Sequence, residues 1–312
     1  MNWRDVAFEG AYFLVKSPFR NLWPLIVAPA IAALICDRTA RLVPRTPAGS
    51  LTSAALAAIP GLVALAMIVH AIELMPISTW RGVVSHGVTP LVATVLLAYP
   101  VFLTLRRQRE IARLFAVATP ARERLVSAAD RLGLRAMELE SDEMDCFVAG
   151  ALRPTVFVSS GALSHLSEAE LDAALQHERA HIRSRDTIWL VSLAFLRDLA
   201  PWGRSAAFNA FRAARESAAD REAASTVGAL NLASALLVLA RPGHEGANAA
   251  VLPMAGSDNF RSRMQALLNG VAPPGPSRGE CLRLAAGFTL SAALLTWPVV
   301  HPRLIELLCL RN

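Results

Sequence analysis

The stretch Leu175-Gln176-His177-Glu178-Arg179-Ala180-His181-Ile182 determines how the rest of the sequence is interpreted. On a helix, residues four apart lie one turn above each other, so His177 and His181 can each offer an imidazole nitrogen to one metal ion. Zinc binds neutral imidazole and, in hydrolases, keeps one position for a water molecule, whose pKa it lowers to about 7. Glu178 lies beside the two histidines, and we expect it to take the proton of that water.

The residues around this motif predict a helix. Ser167 and Glu170 have the spacing of a capping box at a helix N-terminus. The run from Glu168 to His181 that follows contains good helix formers and neither Gly nor Pro. Ala173 and Ala174 fall on the same side as the two histidines, so their small side chains leave room for another element. The alternative interpretation is a solvated helix that carries two polar residues.

A catalytic zinc ion needs a third protein ligand, and the segment 215–222 offers the strongest candidate. Glu216 and Asp220 are four residues apart, so a helix would place them on one face. We expect Glu216 to bind the single zinc ion of the chain and Asp220 to accept the outer N–H of a ligand histidine. Asp186 is assigned the same supporting role. The alternative is a charged, solvated helix with ion pairs between successive turns.

The composition indicates a membrane protein. Hydrophobic residues make up 54% of the chain and charged residues only 18%, and the mean hydropathy is +0.40, which favours membrane-spanning segments over a large water-soluble core. The net charge of +6 comes from arginines that are scattered or flank apolar runs, so we predict no direct nucleic acid binding. The four cysteines are far apart and indicate neither a disulfide framework nor a cysteine metal site.

Four apolar stretches are candidates for spanning helices: residues 21–36, 54–75, 83–105 and 282–300. For the first of them a cleaved signal peptide is the alternative. Arginines are frequent in the loop at 37–50 and after Leu105, so both regions are predicted to be cytoplasmic. This organisation predicts a three-span region at 1–105, a cytoplasmic domain at 106–280, and a fourth spanning helix with a short tail at 281–312.

Within the central domain the pattern predicts an α+β fold that is mostly helical. Residues 147–158 are rich in β-branched and aromatic residues around an Arg-Pro turn and predict two short strands. Helices are predicted at 121–133, 205–227 and 229–240, while 188–200 is expected to lie against the membrane or inside the domain. Zinc peptidases commonly hold an extended peptide at a sheet edge, and the residues predicted to form that edge are Phe147, Val148 and Ala149.

The residue that stabilises the oxyanion of the reaction is harder to identify. Both tyrosines, Tyr12 and Tyr99, lie in the predicted membrane region, which makes a tyrosine unsuitable for this role. His244 and Arg263 are the candidates downstream of Glu216. The alternatives are a surface histidine and an arginine that flanks a helix.

Taken together, the run from Leu175 to Asp186, the later Glu216-Ser217-Ala218-Ala219-Asp220 motif and the predicted strand-turn-strand at 147–158 resemble the BlaR/MecR family of membrane metallopeptidases. The resemblance implies four spans in a bacterial inner membrane, with a cytoplasmic, gluzincin-like zinc domain between spans 3 and 4. It also implies an endopeptidase that cleaves a cytoplasmic protein, typically a winged-helix transcriptional repressor, or the transducer itself. The expected partners are therefore a protein or peptide substrate and the lipid bilayer.

Other interpretations stay open beside this one. The antibiotic sensors of the family carry an extracellular penicillin-binding domain after the fourth span, where this sequence has only a short tail, so β-lactam sensing is not expected. The acidic motif equally resembles the HtpX-like and CAAX-prenyl proteases, which implies a membrane protein quality-control protease. A non-enzymatic alternative is a membrane transducer or scaffold with a degenerate metal site.

Overall fold

The computed structural model describes residues 27–43, 47–73, 88–200, 206–240, 252–253 and 260–269, with single helical positions between 279 and 293. In chain order the elements are α1 (helical at 27–40), α2 (Pro47–Glu73), α3 (Val88–Val117), β1 (Thr119–Pro120), α4 (Glu123–Arg131), β2 (Ala136–Leu139), β3 (Cys146–Ala149), β4 (Thr155–Ser159), α5 (Ser160–His165), α6 (Glu168–Arg183), α7 (Asp186–Leu199), α8 (Ala206–Val227), α9 (Ala229–Leu239), β5 (Leu252–Pro253) and α10 (Phe260–Asn269). The predicted α+β class, mostly helical with a small sheet, is confirmed.

The five strands form one sheet in the order β1-β2-β4-β3-β5. The predicted strand pair around the Arg-Pro turn is present as the antiparallel ladder of β3 and β4. Gly150 occupies the turn with a φ of +93°, a conformation that suits glycine because it has no Cβ. The pairing of β2 with β4 is parallel, and the sequence pattern did not predict it.

Both faces of the sheet are covered by helices. Val148, Val156 and Val158 pack into the main core with α4, α5, α6 and α9. Phe147 and Phe157 point to the opposite face and pack against the C-terminal part of α3, with their ring centroids 5.6 Å apart. Burial on both faces explains why these strands are continuous apolar runs instead of alternating ones.

Helix α6 begins at the predicted capping box. The Ser167 side chain accepts a hydrogen bond from the backbone N–H of Glu170, and the Glu170 carboxylate accepts one from the backbone N–H of Ser167. The alanines Ala173 and Ala174 are completely buried, and α8 packs against this side of α6. Their small side chains allow the close approach of the two helices that the sequence predicted.

A second buried region joins α2 to α7 and α8. Leu56 and Ala57 of α2 share an apolar cluster with Leu193 of α7 and with Phe208 and Phe211 of α8. The segment 188–200, expected against the membrane or inside the domain, thus forms a helix that packs along α2 and α3. Residues on the two sides of the predicted domain boundary at residue 105 therefore pack against each other. The boundary itself remains a prediction.

Among the residues that the structure describes, one helix is long and apolar enough to cross a membrane. It is the Gly49–Val69 part of α2, with a mean hydropathy of 2.1, and 56% of its apolar window is buried within the protein. Helix α3 continues beyond the predicted end of the third span to Val117, because the residues after Leu105 are good helix formers. The predicted fourth span and the linker before it lie almost entirely outside the described residues.

Gly61 of α2 lies close to the backbone of α7. A Cβ atom added there would lie 2.1 Å from the backbone carbonyl oxygen of Leu196. We expect Gly61→Ala to lower the free energy of unfolding by about 1–3 kcal/mol, because the two helices must separate to admit the methyl group. Thermal unfolding of the purified full chain in detergent measures the effect. Gly279→Ala is the control, since a Cβ there meets no atom within 4 Å; equal midpoints for the two variants would contradict the prediction.

Candidate metal centre

The two histidines of α6 converge in the interior of the protein. Their Nε2 atoms lie 3.1 Å apart, and the side chains of His177 and His181 are 0% and 1% exposed. This convergence follows from their spacing of four residues, which places both rings on the buried face of one helix. Two nitrogen donors therefore point at one place.

Helix α8 brings a carboxylate to the same place. The Oε2 atom of Glu216 lies 3.5 Å from Nε2 of His177, and its Oε1 atom lies 3.6 Å from Nε2 of His181. One ligand atom from each of these residues lies within 4.8 Å of the others, so the group could hold a metal ion. Two imidazole nitrogens and one carboxylate oxygen form a donor set that zinc accepts, with a coordination position left for water or substrate.

His181 is oriented by the first residue of α7. Its Nδ1–H donates to Oδ2 of Asp186 over 2.7 Å, which leaves the lone pair of Nε2 free for a metal. The other carboxylate oxygen of Asp186 accepts from Nε of Arg215 over 2.7 Å. The turn that places Asp186 here passes through Arg185, which has a left-handed backbone with a φ of 54°.

His177 and Glu216 are held by a second group of contacts. Oδ1 of Asp220 lies 3.1 Å from Nδ1 of His177. Arg263 on α10 donates to the two carboxylate oxygens of Asp220 through Nε and Nη2, both over 2.7 Å. The third nitrogen of Arg263, Nη1, lies 2.8 Å from Oε2 of Glu216. One guanidinium group therefore contacts both acidic residues of the predicted site on α8.

The charges of these groups shift their protonation. Burial lowers the pKa of His177, but the carboxylates of Asp220 and Glu216 outweigh it and raise that pKa to about 9. Burial raises the pKa of Glu216, but Arg263 and the histidines outweigh it and lower that pKa to about 2. The acid is therefore ready to bind a cation, whereas a metal ion must displace a proton from His177.

Glu178 differs from the other acids of the site. Its side chain is completely buried, and neither carboxylate oxygen makes a hydrogen bond with any residue that the structure describes. Burial raises its pKa to about 7, against the opposing effect of His177 and His181. A carboxyl group with such a pKa can accept and return a proton near neutral pH.

The structure brings together most of the residues predicted from the sequence: His177, Glu178, His181, Asp186, Glu216 and Asp220. Arg263 joins them as a buried residue that pairs with carboxylates, and not as an exposed arginine at a helix end. His244 lies outside the described residues. Arg215, which pairs with Asp186, was not predicted as a site residue, because no local pattern joins it to an acid 29 positions earlier in the sequence.

The predicted substrate edge is not free. β3, with Phe147, Val148 and Ala149, does lie next to α6. However, β5 pairs with its outer side, joining Val148 to Leu252 and Phe147 to Pro253. The short apolar run in β5 was too brief to predict as a strand from the sequence.

Comparison with known families adds an independent observation. A family model described as BlaR1 peptidase M56 matches residues 16–267, which is most of the chain. This match confirms the family resemblance that the motifs indicate. No curated protein sequence is similar enough to the chain to count as a match.

The geometry predicts that metal binding depends on the two histidines of α6. We expect His177→Ala to lose most of the bound metal, because it removes one of three converging ligands. Metal analysis of the purified full chain, loaded with Zn²⁺ and then desalted, measures this loss. His165→Ala is the control, since the described contacts of the His165 ring are with Ser164 and Gly161 of its own helix, α5. Full metal content in His177→Ala would contradict the assignment.

Arg263 is expected to stabilise the metal-free site. Arg263→Gln leaves the carboxylates of Glu216 and Asp220 without their shared cation, which should lower the free energy of unfolding by about 3 kcal/mol. Zn²⁺ should recover part of this loss, because the metal ion supplies positive charge at the same carboxylates. Thermal unfolding with and without Zn²⁺ tests both points, and Arg261→Gln on the exposed side of α10 is the control. An unchanged midpoint in the metal-free Arg263→Gln protein would contradict the prediction.

Proposed function

Because the chain belongs to the BlaR1 peptidase M56 family, we propose that it is an integral-membrane zinc endopeptidase that acts in regulated proteolysis. The observation that carries this proposal is the convergence of His177, His181 and Glu216 beside Glu178, whose buried carboxyl group makes no hydrogen bond to the part of the chain that the structure describes. A peptidase of this family acts on protein or peptide substrates. The finer proposal is that the substrate is a transcriptional repressor or the chain itself.

In this proposal zinc is held by His177, His181 and Glu216. When bound, it supplies a Lewis acid that polarises the scissile carbonyl group and makes a water molecule more acidic. Glu178 accepts a proton from the attacking water at a carboxylate oxygen and later passes it to the leaving amine. The burial of Glu178 keeps its pKa near neutrality, so that it can do both. Asp186 holds the ring of His181 in the tautomer that this arrangement needs.

The group that stabilises the developing negative charge on the substrate oxygen remains a proposal. Each nitrogen of Arg263 already contacts a carboxylate of Glu216 or Asp220, which supports a role for Arg263 in holding the ligands. His244 is the other residue proposed from the sequence.

We propose that β3 binds the substrate as an extended peptide, because it runs beside α6 at the site. Since β5 covers Phe147 and Val148, a peptide can add along these residues only when β5 moves away. Alternatively, the peptide binds to β3 beyond the residues that β5 pairs with. The segment that carries β5 belongs to the same chain, which makes this part of the chain a candidate for self-cleavage.

The location in the membrane is also part of the proposal. Members of this family are typically membrane proteins, and α2 is apolar enough to span. We propose four spans, with the peptidase region of 106–280 on the cytoplasmic side of a bacterial inner membrane. The packing of Ala40, Ala54 and Phe208 in one cluster supports this orientation, because it places the arginine-rich first loop on the same side as α8.

A second candidate function is the quality control of membrane proteins. The observation that favours it is the contact between Leu196 and Gly61 within the apolar part of α2. Asp186, at the other end of α7, is about 15 Å from Leu196 along the helix. A site this close to an apolar helix can receive a peptide segment that leaves the membrane. The complete set of ligands and the base speak against a non-catalytic transducer or scaffold.

The proposed function predicts that Glu178→Gln abolishes proteolysis but not zinc binding. We expect the cleavage rate to fall by about two orders of magnitude or more, since the variant lacks a base, while the zinc content stays at the wild-type level. Cleavage of an unstructured protein such as casein by the full chain in detergent provides the assay. Glu140→Gln, an exposed acid in the loop after β2, is the control. Wild-type cleavage by Glu178→Gln would refute the mechanism.

The same variant can distinguish the substrate classes. A full chain with Glu178→Gln should retain its substrate in cells, and identification of the captured protein separates a repressor from a damaged membrane protein. Cleavage within the segment 241–259 in the wild type, absent in the variant, would indicate self-cleavage.

A further inference from the structure

Helices α7 and α8 both reach the metal site. α7 begins with Asp186, which binds His181, and α8 carries Glu216 and Asp220 in its middle turns. The C-terminal end of α7 and the N-terminal end of α8 lie close to one another, away from the site. We call this region the distal end; it comprises residues 197–199 of α7 and 206–208 of α8.

An ion pair ties the distal end to α3. Nη1 of Arg107 lies 2.6 Å from Oδ2 of Asp198, and their side chains are only 17% and 9% exposed. The other carboxylate oxygen of Asp198 accepts from Nε and Nη2 of Arg197 over 3.0 and 2.9 Å. Because the pair is largely shielded from water, its attraction is screened far less than that of a surface ion pair.

The two helices are also joined to each other at the distal end. The guanidinium carbon of Arg197 lies 4.8 Å from the ring centroid of Phe208, within the range of a cation–π contact. Arg197 therefore links Asp198 on α7 to the first turn of α8. Because of this contact, a movement of the C-terminal end of α7 would also move the N-terminal end of α8.

A carboxylate from α1 holds the N-terminus of α8. The carboxyl group of Asp37 lies close enough to the backbone N–H groups of Ala206 and Ala207, the first two residues of that helix, to interact with them. These N–H groups have no partner within their own helix, and the helix dipole favours a negative charge at this position. Asp37 thus caps α8 although it belongs to a helix far away in the sequence.

The distal end and the metal site are joined by short segments of α7 and α8. Glu216 lies ten residues after Ala206, about 15 Å along α8, and Asp198 lies twelve residues after Asp186, about 18 Å along α7. A helix of this length moves as a rigid body, so fixing one end restricts the other. Groups that contact metal ligands directly change metal affinity by about 10- to 100-fold when removed, and a residue that acts through a helix changes it by less, about 2- to 30-fold.

We propose that Asp37 and Asp198 are positioning residues of the metal centre, which set the geometry of Glu216 and of the Asp186–His181 pair by fixing the distal ends of α8 and α7. The positions of α1 and α3 thereby affect the positions of the metal ligands. This inference rests on the proposed function only in that the site binds zinc. Neither residue is among the candidate ligands, and Asp198 lies more than three helical turns from Asp186.

The test measures zinc affinity and not proteolysis. The full chain with Glu178→Gln serves as the parent protein, and a chromophoric chelator competes for Zn²⁺ in detergent solution. We expect Asp198→Asn and Asp37→Ala each to lower the zinc affinity about tenfold. Asp37→Asn should stay near the parent value, because an asparagine oxygen still accepts from the helix N-terminus.

Arg106→Gln is the matched control for the ion pair. Arg106 is the neighbour of Arg107 on α3 but makes an exposed pair with Glu110, so its loss should leave zinc affinity unchanged. Unchanged affinity in both Asp198→Asn and Asp37→Ala, with a lowered unfolding midpoint, would show a merely structural role and overturn the proposal. If Asp198→Asn does not fold, Arg107→Lys replaces it: a measurable loss of zinc affinity supports the proposal and parent-level affinity overturns it.

A lower rate of proteolysis, without a change in zinc affinity, does not count as support for this proposal. In the chain with an intact Glu178, the proposal predicts a lower kcat for Asp37→Ala after loading with excess Zn²⁺ and an unchanged KM, since the substrate strand β3 is not affected. If the wild type shows no proteolysis at all, the proposed function fails, while the zinc affinities still decide the inference.

Discussion

The burial of several acidic side chains in one small volume is the constraint on which the surrounding helices depend. The acids are Glu178, Asp186, Glu216 and Asp220. A buried carboxylate without a partner costs several kcal/mol, so cations must be brought to it from elsewhere in the chain. Arg215 pairs with Asp186, and Arg263 bridges Glu216 and Asp220. Helices α6, α7, α8 and α10 are thus positioned by charge compensation as well as by apolar packing.

Glu178 is the exception to this rule, and the exception is informative. It is as deeply buried as its neighbours, yet its two oxygens have no hydrogen-bond partner among the described residues. An unpaired buried group is unfavourable for stability, but it is the state that a general base needs before a water molecule arrives. The site therefore combines acids that are held by ion pairs with arginine or histidine with one acid whose pKa is raised by burial, a combination that is frequent in active sites.

Much of the site could be predicted from the sequence because its determinants are local. The spacing of His177 and His181, the spacing of Glu216 and Asp220, and the capping box at Ser167 all follow from the geometry of a single helix. Contacts between distant residues were not predictable in this way. Arg263 lies 43 residues from Asp220 in the sequence, and the β2–β4 and β3–β5 pairings depend on the packing of the whole domain. No local pattern distinguishes such an arginine from a solvated one.

Helix α8 belongs to two different parts of the protein, and this affects the order in which the chain is assembled. Its first turns, with Phe208 and Phe211, pack on α2, while its middle turns carry Glu216 and Asp220 of the candidate metal site. During synthesis α2 emerges first and is available when α8 appears. Arg263 follows last, so a nascent chain holds Glu216 and Asp220 without their cation until translation has passed α10. An unfinished polypeptide consequently carries two acids whose compensating cation has not yet been synthesised.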